Sequence, residues 1–171
     1  MADFHVVTTP ADLNQALFRV THGLYVLTAA SAGQLNGQIL DALMQVTNAP
    51  PRIAIGVGRQ SLTHEMIVAS GRFVANVIDR TDPDRAKTVR HFGFRSGHDV
   101  AKFAAYPHQL SEHGIAILPD AVAFYECTVE TERTLDLETH SLFVGRVDRA
   151  GTRDAGAPLT YNEYRDTLRE G

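Results

Sequence analysis

The segment 58–65 combines residue types that bind an anion. Arg59 supplies a fixed positive charge, and its guanidinium group can donate several hydrogen bonds at once. Ser61, Thr63 and His64 supply further donors where a helix is predicted to begin, so unpaired backbone N–H groups and the positive end of the helix dipole would add to the site. This combination favours a phosphate. The alternative is that Ser61 or Thr63 only caps the helix while Arg59 remains in solvent.

A second polar group lies in segments predicted as strands. The side chains of Asn36, Gln38, Gln45 and Thr47 can bond the polar rim of a flat heterocycle, and Gly37 allows close approach of the backbone. The Asn36-Gly37 pair is also typical of a hairpin turn, so a turn without any ligand is the alternative interpretation.

The segment 92–103 mixes aromatic residues, glycines and charges, and it includes Phe92 and Ser96. Such a loop can cover a planar ring and admit a second substrate, or it can be a surface loop anchored by its phenylalanines.

His140 begins another predicted strand. It is a candidate proton donor beside a redox centre, with a structural role as the alternative.

Composition excludes several classes of protein. The chain has 171 residues, 44% hydrophobic and 21% charged, which predicts one folded domain over residues 1–171. Its net charge of −4 and lack of a basic block argue against nucleic-acid binding. The eight histidines are scattered without ligand spacing, so no metal site is predicted.

The single cysteine, Cys127, excludes a disulfide within the chain and a four-cysteine iron site. The first residues lack the features of a signal peptide, and no apolar run approaches the roughly 18 residues of a membrane span. We therefore expect a cytoplasmic protein that neither spans nor binds a membrane. No hydrolytic triad or nucleotide-binding glycine motif is present either.

Hydrophobic periodicity predicts a mainly β fold, either a barrel or a sandwich, with a few helices. Thr9 and Pro10 begin the first predicted helix; the second spans 61–70, and the third runs from Thr81 to about His91. Residues 92–119 are expected to be mostly irregular, and the tail from Pro158 should pack back as a strand or helix. The predicted strands are 24–29, 35–39, 42–47, 52–57, 73–78, 121–132 and 140–148.

Short motifs in these segments follow one another along nearly the whole chain. They are Phe18-x-x-Thr21-x-Gly23-Leu24-Tyr25, Asn36-Gly37-Gln38, Gln45-Val46-Thr47-x-x-Pro50-Pro51, Leu62-Thr63-His64-Glu65-x-Ile67, Ser70-Gly71-x-Phe73, Phe92-Gly93-Phe94-x-Ser96-Gly97, Lys102-Phe103, Thr139-His140-x-Leu142-Phe143-x-Gly145 and Pro158-Leu159-Thr160-Tyr161. Taken in this order, they resemble the flavin reductase-like, FMN-binding split-barrel family, and within it the flavoredoxin-type branch.

The resemblance implies a homodimer of Greek-key split β-barrels with FMN near the subunit interface. Asp41 departs from the neutral or small residue of many relatives, and Arg59 replaces a common lysine. By position, the residues that would hold the phosphate are Arg59, Ser61, Thr63 and His64. Those that would bind the ribityl chain and the ring are Asn36, Gln38, Gln45 and Thr47. The reactive face would be bordered by Phe92, Ser96 and His140, and His140 is the candidate catalytic residue.

Three functions follow from this resemblance. The first is an NAD(P)H-dependent flavin reductase that passes a hydride to FMN N5, with a monooxygenase as a candidate partner. The second is a flavoredoxin-like electron carrier with tightly bound FMN; since one cysteine cannot build an iron site, its redox partner would be a separate protein. The third is a split barrel that binds a flavin or another ligand without catalysis.

Overall fold

The computed structural model describes residues 3–167. Eight strands form one antiparallel sheet in the order β2-β1-β5-β8-β10-β4-β3, and β9 pairs with β10 off this path. A separate two-stranded sheet joins β6 and β7. The strands are β1 (Tyr25–Ser31), β2 (Gln34–Leu40), β3 (Leu43–Asn48), β4 (Pro51–Gly58), β5 (Arg72–Val77), β6 (Gln109–Leu110), β7 (Ala116–Ile117), β8 (Ala123–Val129), β9 (Leu135–Leu137) and β10 (His140–Thr152).

The large sheet curls around an apolar core. Leu27 on β1 and Ile55 on β4 belong to the same buried cluster, although three strands separate β1 from β4 in the sheet order. A flat sheet would hold these side chains far apart, since neighbouring strands are about 4.8 Å apart. Met66 and Ile67 of a helix complete the cluster from one side. The prediction of a mainly β fold is confirmed.

Four α-helices accompany the sheet: α1 (Pro10–Leu17), α2 (Leu62–Ser70), α3 (Arg85–Gly93) and α4 (Tyr161–Thr167). Thr9 caps α1 and Ser61 caps α2, each by accepting a hydrogen bond from a backbone N–H group three residues later. Leu13 and Leu17 of α1 remain exposed on the described chain. Within residues 3–167, we find no helix long and apolar enough to cross a membrane.

The third helix begins later than predicted. Its predicted start at Thr81 is wrong, because α3 begins at Arg85. Asp79 accepts hydrogen bonds from the backbone and hydroxyl of Thr81, and Asp82 accepts one from the backbone of Asp84. Such side-chain bonds to the nearby backbone favour turns over a helix.

A second buried cluster lies beneath α3 and the C-terminal segment. It includes Leu24, Phe92, Leu159 and Tyr164. Single bridges pair Gly23 with Thr160 and Asp79 with Pro158, so the segment 158–167 packs against the sheet as expected and ends in α4. Residues 92–119 are irregular apart from the end of α3 and the β6–β7 hairpin.

Candidate active site

Two adjoining clefts open beside the N-terminus of α2. The inner cleft, with a volume of about 510 Å³, has apolar and aromatic walls that include Ile39, Leu62, Phe92 and Tyr161. The outer cleft, about 860 Å³, is lined by polar and charged residues around Gly58. Both volumes are in the range of small-molecule sites. The inner cleft also contains Asn36, Gln38, Ser61, Phe94, Ser96 and Lys102; the outer cleft contains Gln38, Arg59, Gln60, Ser61, Glu138, Thr139 and His140.

Buried contacts fix the floor of the inner cleft. The Asn36 carboxamide donates to the Thr63 hydroxyl over 2.9 Å, and both side chains are buried. A Cβ atom on Gly37 would lie 3.0 Å from the Phe92 ring, so glycine allows β2 to approach α3 this closely. Phe92 in turn packs edge-on against Tyr106. Asn36 and Phe92 therefore have defined positions before any ligand arrives.

Thr63 has a different position from the one we expected. Its side chain is fully buried and lines neither cleft, so the structure does not support its predicted direct contact with a phosphate. Its hydroxyl instead orients Asn36, which does line the inner cleft.

Lys102 lies at the inner cleft as a buried cation. Its ammonium group donates to the carbonyl oxygen of Gly37 over 2.8 Å and to that of Phe92 over 3.0 Å. Burial lowers the pKa of Lys102 below its ordinary value. The sequence interpretation treated Lys102 only as part of a motif, because nothing in the spacing of residues reveals that a loop lysine is buried.

Arg59 and His140 lie together in the outer cleft. The Arg59 guanidinium forms an ion pair with Asp136 of β9, and both side chains are exposed. The hydrogen bond from Arg59 also holds the pKa of Asp136 below its usual value. The His140 ring bonds the Thr139 hydroxyl over 2.9 Å and faces Gly58 across the β4–β10 pair.

The start of α2 lies between the two clefts. The Ser61 hydroxyl donates to the Gly58 carbonyl and accepts from the His64 backbone, so Ser61 caps α2, and its contact with a phosphate stays a prediction. The His64 ring bonds Ser141 over 2.9 Å. Burial, followed by the charge of Arg59, lowers the pKa of His64, so at neutral pH its imidazole is a hydrogen-bonding group without charge.

The remaining predicted residues lie at different distances from the clefts. Gln38 is shared by both clefts, and Ser96 lies on the rim of the inner one. Gln45 and Thr47 on β3 line neither cleft. Their side chains form local hydrogen bonds instead, Gln45 with Asn48 and Thr47 with the Pro50 carbonyl.

The C-terminal Tyr161 and Tyr164, to which the sequence assigns no role, line the inner cleft. Within residues 3–167, no group of three potential metal ligands occurs.

Comparison with known proteins assigns the chain to a family. Residues 17–168 match the flavin reductase like domain. The chain belongs to the flavin reductase-like family. The resemblance found in the sequence motifs is therefore confirmed.

Two curated relatives of this flavin reductase-like chain exceed 30% identity. A high molecular weight rubredoxin from Moorella thermoacetica is 38% identical over 156 residues, which cover 91% of this chain and 66% of the relative. The chain thus spans just under two thirds of that relative. A ferric-chelate reductase (NAD(P)H) from Archaeoglobus fulgidus is 33% identical over 152 residues, covering 88% of this chain and 87% of the relative.

Solved structures confirm the predicted split-barrel fold. The NADH:FAD oxidoreductase SgcE6 from Streptomyces globisporus C-1027 superposes with a TM-score of 0.81 at 24% identity, covering 91% of this chain and 92% of that chain. A flavoredoxin from Methanosarcina acetivorans gives a TM-score of 0.76 at 23% identity, with 90% and 77% covered. At this level of identity the likeness concerns the fold.

The two clefts of this flavin reductase-like chain fit the shape and chemistry of FMN. The inner cleft offers aromatic walls and carboxamides to a planar heterocycle, and the outer cleft offers a guanidinium beside a helix N-terminus to a phosphate. Gly97 packs directly against Asn36, because a Cβ atom there would lie 2.5 Å from the Asn36 side chain. The residues present therefore suit the group that the family name implies.

Proposed function

We propose that this protein is an NAD(P)H-dependent flavin reductase that binds FMN across the two clefts. The observation that carries the proposal is that a cleft with aromatic walls and a cleft that contains Arg59 adjoin at Gln38 and Ser61. An elongated ligand with a ring at one end and a phosphate at the other matches this arrangement. The relatives named as reductases, including an NADH-dependent flavin reductase StyB from Pseudomonas fluorescens that is 28% identical, support the choice of chemistry.

The chain's own residues would bind and orient rather than carry electrons. Arg59 and the start of α2 would hold the phosphate, with His64 as a neutral donor or acceptor nearby. Asn36, held by Thr63, and Gln38 would bond the polar edge of the ring system. Phe92 would form an apolar wall that excludes water. Ser96 would border the open side, through which the nicotinamide enters.

Bound FMN would supply the redox chemistry, accepting a hydride at N5. This step needs the two rings at near-contact distance and no strong acid or base from the protein. His140 is exposed at the rim of the outer cleft, where it would orient the incoming nucleotide. We therefore expect His140→Ala to bind FMN normally and turn over more slowly. Loss of FMN in this variant would instead assign His140 to cofactor binding.

The first test is an absorption spectrum of the purified, desalted protein after incubation with FMN. Addition of NADH, and then of NADPH, without oxygen should bleach the flavin bands. If FMN binds but neither nucleotide bleaches it, the reductase proposal is wrong. A protein that takes up no FMN would instead support the non-catalytic, ligand-binding alternative.

One observation favours a second candidate, a flavoredoxin-like electron carrier. The chain is 38% identical to a protein named as a rubredoxin and resembles a solved flavoredoxin in fold. Such a carrier would retain its FMN on desalting and would be reduced by a separate redox protein. Reduction by a rubredoxin or ferredoxin but not by NAD(P)H would support this candidate over the reductase.

We also infer that the protein forms a homodimer through the exposed edge strand β3. Met44 and Val46 of β3 are both about half exposed, and a β-bulge falls between Gln45 and Thr47. A second copy docked along β3 would bury Met44 and Val46, and could bring Gln45 or Thr47 beside the bound flavin. Val46→Glu should therefore shift the protein toward monomer in light scattering. An unchanged mass would place the interface elsewhere.

The location and the wider partners of the protein are part of the same proposal. A cytoplasmic location agrees with the single, buried Cys127, whose thiol has its pKa raised by burial. Residues 1–171 would act as one domain, and a monooxygenase would be a further partner if the product is released as reduced FMN. Dissociation of reduced FMN from the protein would support a monooxygenase as the partner.

A further inference from the structure

Lys102 is a buried cation without a carboxylate partner in the described chain. Its side chain lines the inner cleft, yet the residue is only 4% exposed. Two backbone carbonyls accept its hydrogen bonds, which leaves one ammonium N–H group free. Among residues 3–167, no aspartate or glutamate oxygen lies within 4.0 Å of its Nζ atom.

This arrangement has a free-energy cost that the protein alone does not fully offset. A buried charge is normally paired, because moving an ion out of water costs several kcal/mol. Backbone carbonyls are dipoles and replace only part of the lost hydration. The chain contains just two lysines, Lys87 and Lys102, and the other one is exposed and paired with Asp84. An anionic ligand in the inner cleft would compensate the Lys102 charge.

We propose that Lys102 is a positioning residue that makes the inner cleft bind reduced FMN more tightly than oxidised FMN. This inference rests on the proposed function, which places the flavin ring in that cleft. In the reductase reaction the C4–H bond of the nicotinamide breaks and an N5–H bond forms on the flavin. The hydride carries two electrons and one proton, so NAD(P)H is oxidised to NAD(P)⁺ and the ring system gains one negative charge.

Only this new charge distinguishes the two forms of the ligand. The phosphate is present in both forms, so Arg59 and the start of α2 contribute nearly equally to the affinity of each. A buried cation beside the ring stabilises the reduced form selectively, because interactions between charges are strong where water is excluded. Arg95, which is exposed, also lines the inner cleft, so the change in the affinity ratio between wild type and a Lys102 variant isolates the effect of Lys102.

The test compares wild type with Lys102→Met, Lys102→Arg and the matched control Lys87→Met. Dissociation constants for oxidised FMN and, without oxygen, for reduced FMN are measured by fluorescence titration. We expect Lys102→Met to weaken the binding of reduced FMN about tenfold more than that of oxidised FMN. This lowers the midpoint potential of the bound two-electron couple by about 30 mV. Lys102→Arg should retain most of the preference, and Lys87→Met should retain all of it.

The outcomes separate this inference from the proposed function. If wild type binds FMN but Lys102→Met weakens both forms equally, or changes only the unfolding temperature, Lys102 is structural and the inference is wrong. If wild type binds neither form, the proposed function fails and the inference fails with it. Lys102→Gln, which keeps a donor without a charge, gives the same comparison if the methionine variant does not fold.

Discussion

Lys102 and Glu126 are the buried side chains with a formal charge within residues 3–167, and their surroundings differ. Glu126 of β8 is fully buried; its Oε1 atom accepts hydrogen bonds from Ser111 over 2.6 Å and from His113 over 2.9 Å. Its Oε2 atom lies 3.7 Å from the Arg149 guanidinium. Lys102 has two carbonyl acceptors and no opposite charge within the described chain.

The difference indicates which charge serves the fold and which serves a ligand. Glu126 ties the β6–β7 hairpin to the large sheet, since Ser111 and His113 lie in the turn of that hairpin. The chain supplies two donors for its Oε1 atom and a nearby guanidinium for Oε2, although Oε2 has no hydrogen-bond donor among the described residues. Lys102 lies in a cleft, where a partner can come from outside. Removing each charge should therefore have different consequences.

The largest expected effect on stability is at Glu126. Glu126→Met should lower the free energy of unfolding by about 3 kcal/mol, because Ser111 and His113 lose a charged acceptor. Lys102→Met should cost clearly less, since relief of the buried charge offsets the two lost hydrogen bonds. The exposed Glu112, which also pairs with Arg149, is the control, and Glu112→Met should stay within about 0.5 kcal/mol of wild type. Urea unfolding measures all three; a larger loss at Lys102 would reverse the comparison.

The next largest effect on the free energy of unfolding is expected at the buried, uncharged pair of Thr63 and Asn36. Thr63→Val removes the acceptor of the Asn36 carboxamide and should cost about 1–3 kcal/mol, because a buried donor is left without a partner. FMN affinity should also fall, as Asn36 loses its orientation. Thr152→Val, at an exposed strand position, is the control and should change neither quantity. A fully stable Thr63 variant with normal FMN binding would show that Asn36 is oriented by other contacts.

The charge of Glu126 also predicts a dependence of stability on pH. Burial raises its pKa, but the hydrogen bonds from Ser111 and His113 outweigh burial and place the pKa below the ordinary value of 4.5. A carboxyl with a depressed pKa stabilises the fold above its unfolded value, and this contribution is lost as pH falls through the folded pKa. The free energy of unfolding should therefore decrease below about pH 4.5, and less steeply in Glu126→Gln. Equal slopes in urea unfolding between pH 5 and pH 3 would contradict this assignment.

The smallest effect is expected at the exposed pair of the outer cleft. Asp136 competes with a phosphate for Arg59, so Asp136→Asn should strengthen FMN binding a few-fold at low salt, and the gain should shrink at high salt. Arg59→Ala should weaken binding in the same titration. Asp84→Asn removes an exposed carboxylate that lines neither cleft, and it should leave the affinity unchanged. No response to either Arg59→Ala or Asp136→Asn would move the phosphate away from Arg59.

The sequence predicted those features that depend on neighbours along the chain. Alternation of apolar residues located the long strands, and Thr9 and Ser61 marked the starts of two helices. It could not predict partners that are distant along the chain. Asp136 lies 77 residues from Arg59, and Glu126 is covered by the β6–β7 hairpin, whose turn supplies Ser111 and His113. The burial of Thr63 and Lys102 likewise depends on packing.

Because the chain contains only two lysines, chemical modification of lysine can be used to probe the inner cleft. An amine-reactive reagent will modify the exposed Lys87 quickly, whereas Lys102 can react only when the segment around it opens. Mass spectrometry over the time course would detect the Lys102 adduct as one additional mass. The rate at which this adduct forms would report how often the segment opens. Any ligand that occupies the inner cleft should delay this adduct, so the same measurement can screen ligands without an activity assay.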